Sequence, residues 1–396
     1  MMERRKNLND KFGFVEIMEY TSIGESCSVV SGGTPSRSKN EYWENGNIPW
    51  IKIGNIKSKY VNEYDELITE QGLNNSSAKL LKKGTILYTI FATLGEVGIL
   101  DIEACTNQAI AGINITDPRI TTDYLYYYLK SKKDYVNNIG RGVAQNNINL
   151  TTLKNFEIPL IDVDKQLNIV EILEKVERMI CLKEKEIDDL DLLIKARFIE
   201  MFGDPIVNEK GWRTKPLLDM GQCKNGMNFH YDDKGIDINC LGVCDFKNFS
   251  VIDNTKVLPT VSLNEMPSEE YLLKDDDIVF VRSNGNKALV GRRLVVYPGN
   301  VPTTFSGFCI RYRKYDNEII VPYLLRVLKT DSVRMKMSGR GANIQNLNQQ
   351  ILGTLVIPVP PIELQEQFAD FVQQVDKSRF DIKKSIIELE REVVYD

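Results

Sequence analysis

Histidine is almost absent from this chain of 396 residues: His230 is the only one. That excludes a histidine-rich metal centre and argues against a Ser-His-Asp triad. No GxxxxGK[ST] loop is present, nor a glycine-rich dinucleotide loop following a strand, so neither an ATPase site nor a Rossmann site is expected. No apolar run approaches the roughly 18 residues a membrane helix needs. The opening "MMERRKNLND" lacks an apolar h-region and does not read as a secretory signal. The seven cysteines are odd in number and scattered, so no disulfide framework is expected and a reducing, cytoplasmic setting is the simplest one. Cys240 and Cys244 form the only close pair, in "CLGVC", with Cys223 and His230 as the nearest further zinc ligands. Small core cysteines are the competing reading.

What is present is a repeat. "GRGVAQNNINL" at 140–150 returns as "GRGANIQNLNQ" at 339–349, an offset of 199. At the same offset Tyr124-Leu125 meets Tyr323-Leu324, Ile158-Pro159 meets Ile357-Pro358, and Gln166 meets Gln365. At 193, Val97-Gly98 meets Val290-Gly291. The drift marks small insertions within two long repeated units. Each unit opens with short β-like runs, "IPWIKIGNI" and "GTILYTI" in the first, "DDIVFVRS" and "GRRLVVY" in the second. "DYLYYYLKSK" and "PYLLRVLKTD" read as short helices.

A different pattern closes each unit. From Lys165 to Phe202, apolar residues fall at Ile169, Leu173, Val176, Ile180, Ile187, Leu190, Ile194 and Met201, broken at Lys183 and Arg197. Phe368, Val372, Val375, Ile382, Ile386, Leu389 and Val393 hold the same heptad phase, broken at Arg379. Gly203-Asp204-Pro205 supplies a stop. The expected fold is α+β: two globular mixed α/β domains separated by two long helices that pair as an antiparallel coiled coil, with pseudo-twofold internal symmetry. The expected divisions are 1–157 and 207–356 for the domains, and 158–206 and 357–396 for the helices. The alternative is that each helix packs only on its own domain.

These residues resemble a known family, the specificity subunit of type I restriction-modification enzymes. The resemblance rests on "SGGTPSRSKNEYWENGNIPWIKIGNI", on "GRGVAQNNINLTTLKNFEIPL" before a Gln-bearing helix, on "ARFIEMFGDP", and on "IPVPPIELQEQF". It implies two target recognition domains, each reading half of a bipartite, gapped site in double-stranded DNA, with the helices as a ruler. It implies a chain that is not itself an enzyme and holds no cofactor. Chemistry would sit on partners: two modification (methyltransferase) subunits using S-adenosylmethionine, and two restriction (translocase/nuclease) subunits using ATP and Mg. The chain departs from the pattern twice. "QCKNGMNFHYDDKG" stands where a second "SGGTP" is expected, and the second helix reaches Tyr395-Asp396 without a match to "RFIEMFGDP", which predicts an uneven helix pair.

The net charge of −5 looks unfavourable for DNA, but its distribution matters more than its sum. Residues 165–202 carry seven basic and nine acidic side chains, and residues 363–396 carry five and nine, so the acidity sits on the helices. Residues 282–340 hold twelve Lys/Arg against three Asp/Glu. That segment offers Arg282, Lys287, Arg292, Arg293, Arg311, Arg313, Lys336 and Arg340 to phosphates. Asn and Gln suit adenine, and Arg suits guanine. The repeated phrases supply Arg141, Gln145, Asn146 and Asn147, then Arg340, Asn343, Gln345 and Asn346, and "RSNGNK" adds Arg282, Ser283 and Asn284. A phrase common to both halves is poorly suited to reading two different half-sites, so a structural part for it competes with base reading. In the first domain Ser31, Thr34, Ser36 and Arg37 of "SGGTPSR", with Lys52 and Asn55 of "WIKIGNI", are the candidates; a turn and an edge strand are the alternative. Trp50, Tyr126, Tyr127 and Tyr128 read as packing residues rather than stacking platforms.

Two rival functions remain on the sequence alone. Asp275, Asp276 and Asp277 before "IVFVRSNGNK" faintly resemble a nuclease core, although adjacent strand residues face opposite ways. A purely structural coiled-coil scaffold would leave the basic segment unexplained.

Overall fold

The computed structural model describes residues 18–140, 147–229, 235–247, 250–338 and 346–395. It forms two compact units, residues 1–181 with 387–396, and residues 182–386. The division runs through both long helices. The same three sheets are built in each unit.

In the first unit the central sheet contains β1 (Cys27–Ser31), β2 (Tyr60–Val61), β3 (Ile86–Thr89), β4 (Val97–Leu100) and β5 (Ile110–Ile115), in the order β1-β5-β3-β4-β2. Ile86 lies opposite Ile113 on one side and Ile99 on the other. Every residue of β3 and β4 is buried, because both faces are covered, which is why these strands read as unbroken apolar runs. Ile86 and Tyr88 point into a core shared with the short helix α1 (Thr122–Ser131), while Leu87 points into a second core with Ile51 and Val61. A three-stranded sheet joins Ile48–Ile51 to Glu66–Ile68 and Cys105–Thr106, and a two-stranded one joins Glu19–Ser22 to Glu157–Leu160.

The second unit copies this plan. Its central sheet contains β6 (Gly221–Asn225), β7 (Val251–Ile252), β8 (Asp277–Val281), β9 (Arg293–Val296) and β10 (Cys309–Lys314), in the order β6-β10-β8-β9-β7. Ile278 and Phe280 face one core, Val279 and Val281 the other. The internal repeat read from the sequence is therefore a repeat of topology.

Two long helices follow: α2 (Val163–Phe202) and, after the short α3 (Val321–Lys329), α4 (Ile362–Tyr395). The 40 residues of α2 span about 60 Å at about 1.5 Å per residue. Each is rooted by a buried glutamine. Gln166 Oε1 accepts from the Thr121 amide at 2.9 Å, and its Nε2 donates to the carbonyls of Arg119 (2.6 Å) and Ile161 (2.9 Å). Gln365 repeats this with the Ile320 amide (3.0 Å) and the carbonyls of Glu318 and Pro360 (both 2.8 Å). Both side chains are fully buried. At the same roots Tyr124 donates to the Pro159 carbonyl and Tyr323 to that of Pro358, each at 3.0 Å.

Within the second unit, α2 and α4 run antiparallel: Arg379 binds Asp191, and Phe368 packs on Phe198 with ring centroids 5.5 Å apart. Arg379, which interrupts the heptad in sequence, thus sits in the seam as an ion-pair partner. Phe202 and Tyr323 complete the aromatic cluster at 4.7 Å. One seam position differs from expectation. Ile169 is 39% exposed and Val170 is buried against the first unit's core, because the helix must also keep Gln166 inward, four residues earlier on the same face. The helix stops at Gly203, with φ +77°, a conformation open to glycine without strain.

Gln365→Ala removes three hydrogen bonds and leaves an amide and two carbonyls buried without partners. A loss of about 2–4 kcal/mol in the second unit's unfolding free energy is expected from such groups, read by urea denaturation. A loss below about 0.5 kcal/mol, the size of an ordinary surface substitution, would show that the glutamine does not anchor the helix.

Candidate nucleic-acid interface

The "SGGTP" stretch runs off the end of β1 and is squeezed between neighbouring loops. The Gly32 amide donates to the Ile110 carbonyl at 3.0 Å, and Gly33 to that of Thr106 at 2.8 Å. A Cβ on Gly32 would lie 2.1 Å from the Asn107 carbonyl oxygen, and one on Gly33 would lie 2.4 Å from the Ala78 amide nitrogen. The glycines are required by space. Thr34 then binds Gln108 through their side chains. Two more loops join this edge: the Ile90 amide donates to the Ala109 carbonyl (2.8 Å), Ile148 donates to Ile90 (3.0 Å), and Phe91 bridges Asn147. Thr34, Gln108, Phe91 and Asn147 therefore share one loop cluster. Phe91 is 40% exposed and precedes Ala92 at φ +61°, a strained conformation for alanine.

The second unit has the same cluster, which corrects the expectation that its "SGGTP" counterpart is missing. Gly226 donates to the Cys309 carbonyl (3.1 Å) and Met227 to that of Phe305 (3.1 Å), matching Gly32 and Gly33 bond for bond. A Cβ on Gly226 would lie 2.1 Å from the Ser306 carbonyl oxygen. The chain path survives although the words changed, so Asn228 occupies the place of Thr34. Arg282 donates its amide to the Phe308 carbonyl (2.8 Å), its Nη1 to Gly307 (3.2 Å), and accepts from the Leu347 amide (2.8 Å). Arg282, Ser283, Asn284, Asn346 and the exposed Phe308 are thus gathered at one edge. Asn228, Gln108 and the two phenylalanines escaped the sequence reading, since register alone brings them there.

The ends of the repeated phrase serve the fold. Asn149 Oδ1 accepts from the Thr152 amide (2.7 Å) and Asn348 Oδ1 from that of Ile351 (2.9 Å), capping helices Leu150–Lys154 and Gln349–Gly353. Arg141, Gln145, Asn146, Arg340, Asn343 and Gln345 lie outside the described residues.

The remaining candidates divide. In the first unit, Arg37 stacks 3.6 Å over Trp43 and pairs with Glu66 at 2.6 Å. Lys52 also meets Glu66, at 2.8 Å, and that bond raises its pKa. Asn55 donates to Asp65 at 3.2 Å. These three form an internal polar network, with Arg37 still half exposed above it; Ser31 ends β1 and Ser36 is exposed in the loop that follows. In the second unit Lys287, Arg292 and Lys336 are exposed. Arg311 and Arg313 are not at the surface as expected. Arg311 is 2% exposed and donates to the Glu270 carbonyl, and burial lowers its pKa. Arg313 grips the fully buried Asp277 through two bonds, at 2.8 and 2.7 Å. Two residues apart on β10, they share one face of the sheet, where the sequence shows only a basic run. Arg293 also turns inward, next to Arg326 and Arg334, and burial lowers it to about 9.

The three consecutive aspartates are dispersed: Asp277 takes Arg313, Asp275 accepts from the Gly299 amide (2.9 Å), and Asp276 has φ +69°. Among the described residues no group of three or more His, Cys, Asp or Glu is placed to hold a metal, and no helix is long and apolar enough to cross a membrane. Cys240 is a buried strand residue whose thiol is pushed up to about 12 by burial, and His230 lies outside the described residues.

Arg313→Ala should leave the buried Asp277 without its guanidinium partner, held only by the Lys274 amide at 2.7 Å and the nearby Arg311, at a cost of up to about 3–5 kcal/mol. The second unit should melt separately and early in calorimetry. An unchanged melting profile would mean the pair contributes no stability.

Comparison with known proteins places this geometry. The model of the type I restriction modification DNA specificity domain matches residues 16–192 and again 209–391. The specificity subunit of the type I restriction enzyme MjaIX from Methanocaldococcus jannaschii is 26% identical over 401 residues, covering 95% of this chain and 90% of that protein. That of StySPI from Salmonella potsdam is 22% identical, covering 92% and 83%. A solved chain from work on complex assembly and conformational transition of the type I restriction-modification system superposes with a TM-score of 0.64 at 16% identity, covering 97% of each chain, a likeness of fold. With two copies of that domain filling most of its length, the chain belongs to the type I restriction-modification DNA specificity family.

Proposed function

We propose that this chain reads a bipartite, gapped sequence in double-stranded DNA, one half-site with each repeated unit. As a specificity subunit it recognises DNA and leaves catalysis to other subunits. The observation that carries the bipartite reading is the duplicated loop cluster: Asn228 stands in the place of Thr34, Gly307 in that of Gln108 and Arg282 in that of Ile90, while Asn147 and Asn346 are shared, all on the same backbone. Equal scaffolds with unequal hydrogen-bonding groups suit two different half-sites, because base edges are discriminated by donor and acceptor pattern. Lys287, Arg292 and Lys336 supply exposed charge for phosphates in the second unit.

The long helices, in this reading, fix the spacer between half-sites and dock two modification subunits, with two restriction subunits beyond them. S-adenosylmethionine, ATP and Mg belong to those partners. Support for docking comes from apolar side chains left outside the helix seam: along α2, Ile172, Met179 and Leu182 recur on one face at 60%, 46% and 60% exposed. Isolated exposed apolar residues are ordinary, but a row of them along one helix marks an interaction surface.

The direct test is an adenine-methylation map of the source genome with and without this gene. Loss of one asymmetric gapped motif is expected, and the map then states both half-sites. No change in a cell whose modification subunit is expressed would overturn the specificity role. A second expectation concerns spacing: one heptad added to both helices should lengthen the gap by about three base pairs. Seven residues add about 10.5 Å against about 3.4 Å per base pair, and the heptad preserves the seam. A modified site with the original gap would remove the ruler from the reading.

A further inference from the structure

Beside α2, α3 and α4, the second unit contains a cleft of about 930 Å³. Six basic and three acidic side chains line it. Among them Arg326 and Arg379 each hold a buried Nε without a hydrogen-bond partner, and Arg293, close by, holds a third. Arg379 is otherwise engaged with Asp376 and Asp191. Arg293 gives one bond to the Gly291 carbonyl, at 2.8 Å. Burial, with the like charges of Arg293 and Arg326, lowers the Lys329 ammonium to about 8. Asp191, Asp331 and Asp376 act on these cations from nearby, yet the three Nε atoms stay without a hydrogen-bond partner, and buried cationic groups are normally hydrogen-bonded.

The first unit supplies the comparison. There the Lys59 carbonyl accepts from the Ile99 amide, where Ser250 accepts from Val295 in the second unit. Lys59 binds Asp123 and Glu174, both at 2.6 Å. Tyr127 donates to Glu177 at 2.8 Å, and Lys130 pairs with the same carboxylate. The cations there are met by carboxylates from the chain itself. At the offset of 199 the second unit carries Pro322 for Asp123, Gln373 for Glu174 and Asp376 for Glu177, while Tyr127 becomes Arg326 and Lys130 remains a lysine, Lys329. Two internal anions and the Lys59 ammonium are removed and a guanidinium is added at one place in a duplicated fold, so the balance shifts toward positive charge.

We propose that this cleft binds a small organic polyphosphate of nucleotide size, its phosphates taking the part the missing carboxylates play in the first unit. Guanidinium groups suit phosphate through paired N–H donors. The volume falls in the range of small-molecule sites, which combine an apolar wall with a few convergent polar groups. Val295, Leu325 and Tyr297 form such a wall here. The depth at which Arg326 and Lys329 lie favours a slender ligand over a flat protein surface. Because the cleft is lined by both long helices and by α3 and β9 of the recognition domain, an occupant would brace that domain on its helices.

The test is calorimetric titration of the full chain in phosphate-free, low-salt buffer with two probes, ATP and inorganic triphosphate. Saturable binding of ATP at one site is expected. The double variant R326Q/K329M should weaken it by about tenfold or more, the loss of roughly one charged contact. K79Q/K82Q, which removes two exposed charges elsewhere, should leave it unchanged. Gln373→Glu restores an internal carboxylate on an exposed helix position and should weaken binding without unfolding. If triphosphate binds as tightly as ATP, the phosphate chain alone is recognised and the nucleotide-sized reading falls. Equal binding by wild type and R326Q/K329M, or no binding at all, overturns the site. So does loss of methyltransferase-subunit binding in R326Q/K329M with ATP inert, which would make the cleft a docking surface for an acidic protein segment.

Discussion

A buried side-chain amide at the root of each long helix is the constraint on which the rest of the molecule depends. Gln166 and Gln365 each satisfy one amide and two carbonyls of the chain that precedes the helix. Apolar packing alone is non-directional and allows a helix to slide or rotate. Three hydrogen bonds from a planar amide fix both position and rotation, and leaving any of them unmade inside the protein is costly. The helix therefore leaves its domain in a set direction, and everything displayed along it inherits that direction.

Duplication followed by side-chain divergence explains much of the rest. What the two units share is backbone: strand order, register, the two amide bonds that pin Gly32-Gly33 and Gly226-Met227, and the asparagine caps at 149 and 348. What differs is chemistry set on that backbone. Thr85 and Asn114 share a 2.7 Å hydrogen bond in the first unit, where Asp277 and Arg313 form an ion pair in the second. Lys59 with its carboxylates becomes Ser250 beside an open cleft. A protein whose task is to discriminate DNA sequences gains from a scaffold held by main-chain bonds, because loop side chains can change without dismantling it.

Much of the architecture was legible in the residues. The offset of 199, the heptad runs and the Gly203 stop read directly as two units and two helices, since periodicity reports which face is buried. The site was less legible. Counting basic residues from 282 to 340 treats a chain segment as if it were a surface. Arg292 reaches solvent, Arg293 turns inward toward Arg326, and Arg311 and Arg313 are drawn into the sheet by Asp277 and the Glu270 and Leu272 carbonyls. Each destination depends on a partner remote in sequence. The lost "SGGTP" motif shows the converse: its side chains vanished while its hydrogen bonds remained.

The repeat, the helices, their acidic character and the family are all readable without the structure, because each is carried by local periodicity or by strings of residues in order. Tertiary structure decided which polar groups meet. It set Thr34 beside Gln108 in the loop cluster that also holds Asn147, Asn228 in the place of Thr34, and Arg326 near Arg293. The physical reason is range: secondary structure is dictated by neighbours three or four residues away, whereas a hydrogen bond or ion pair forms wherever sheet register brings two side chains within about 3 Å.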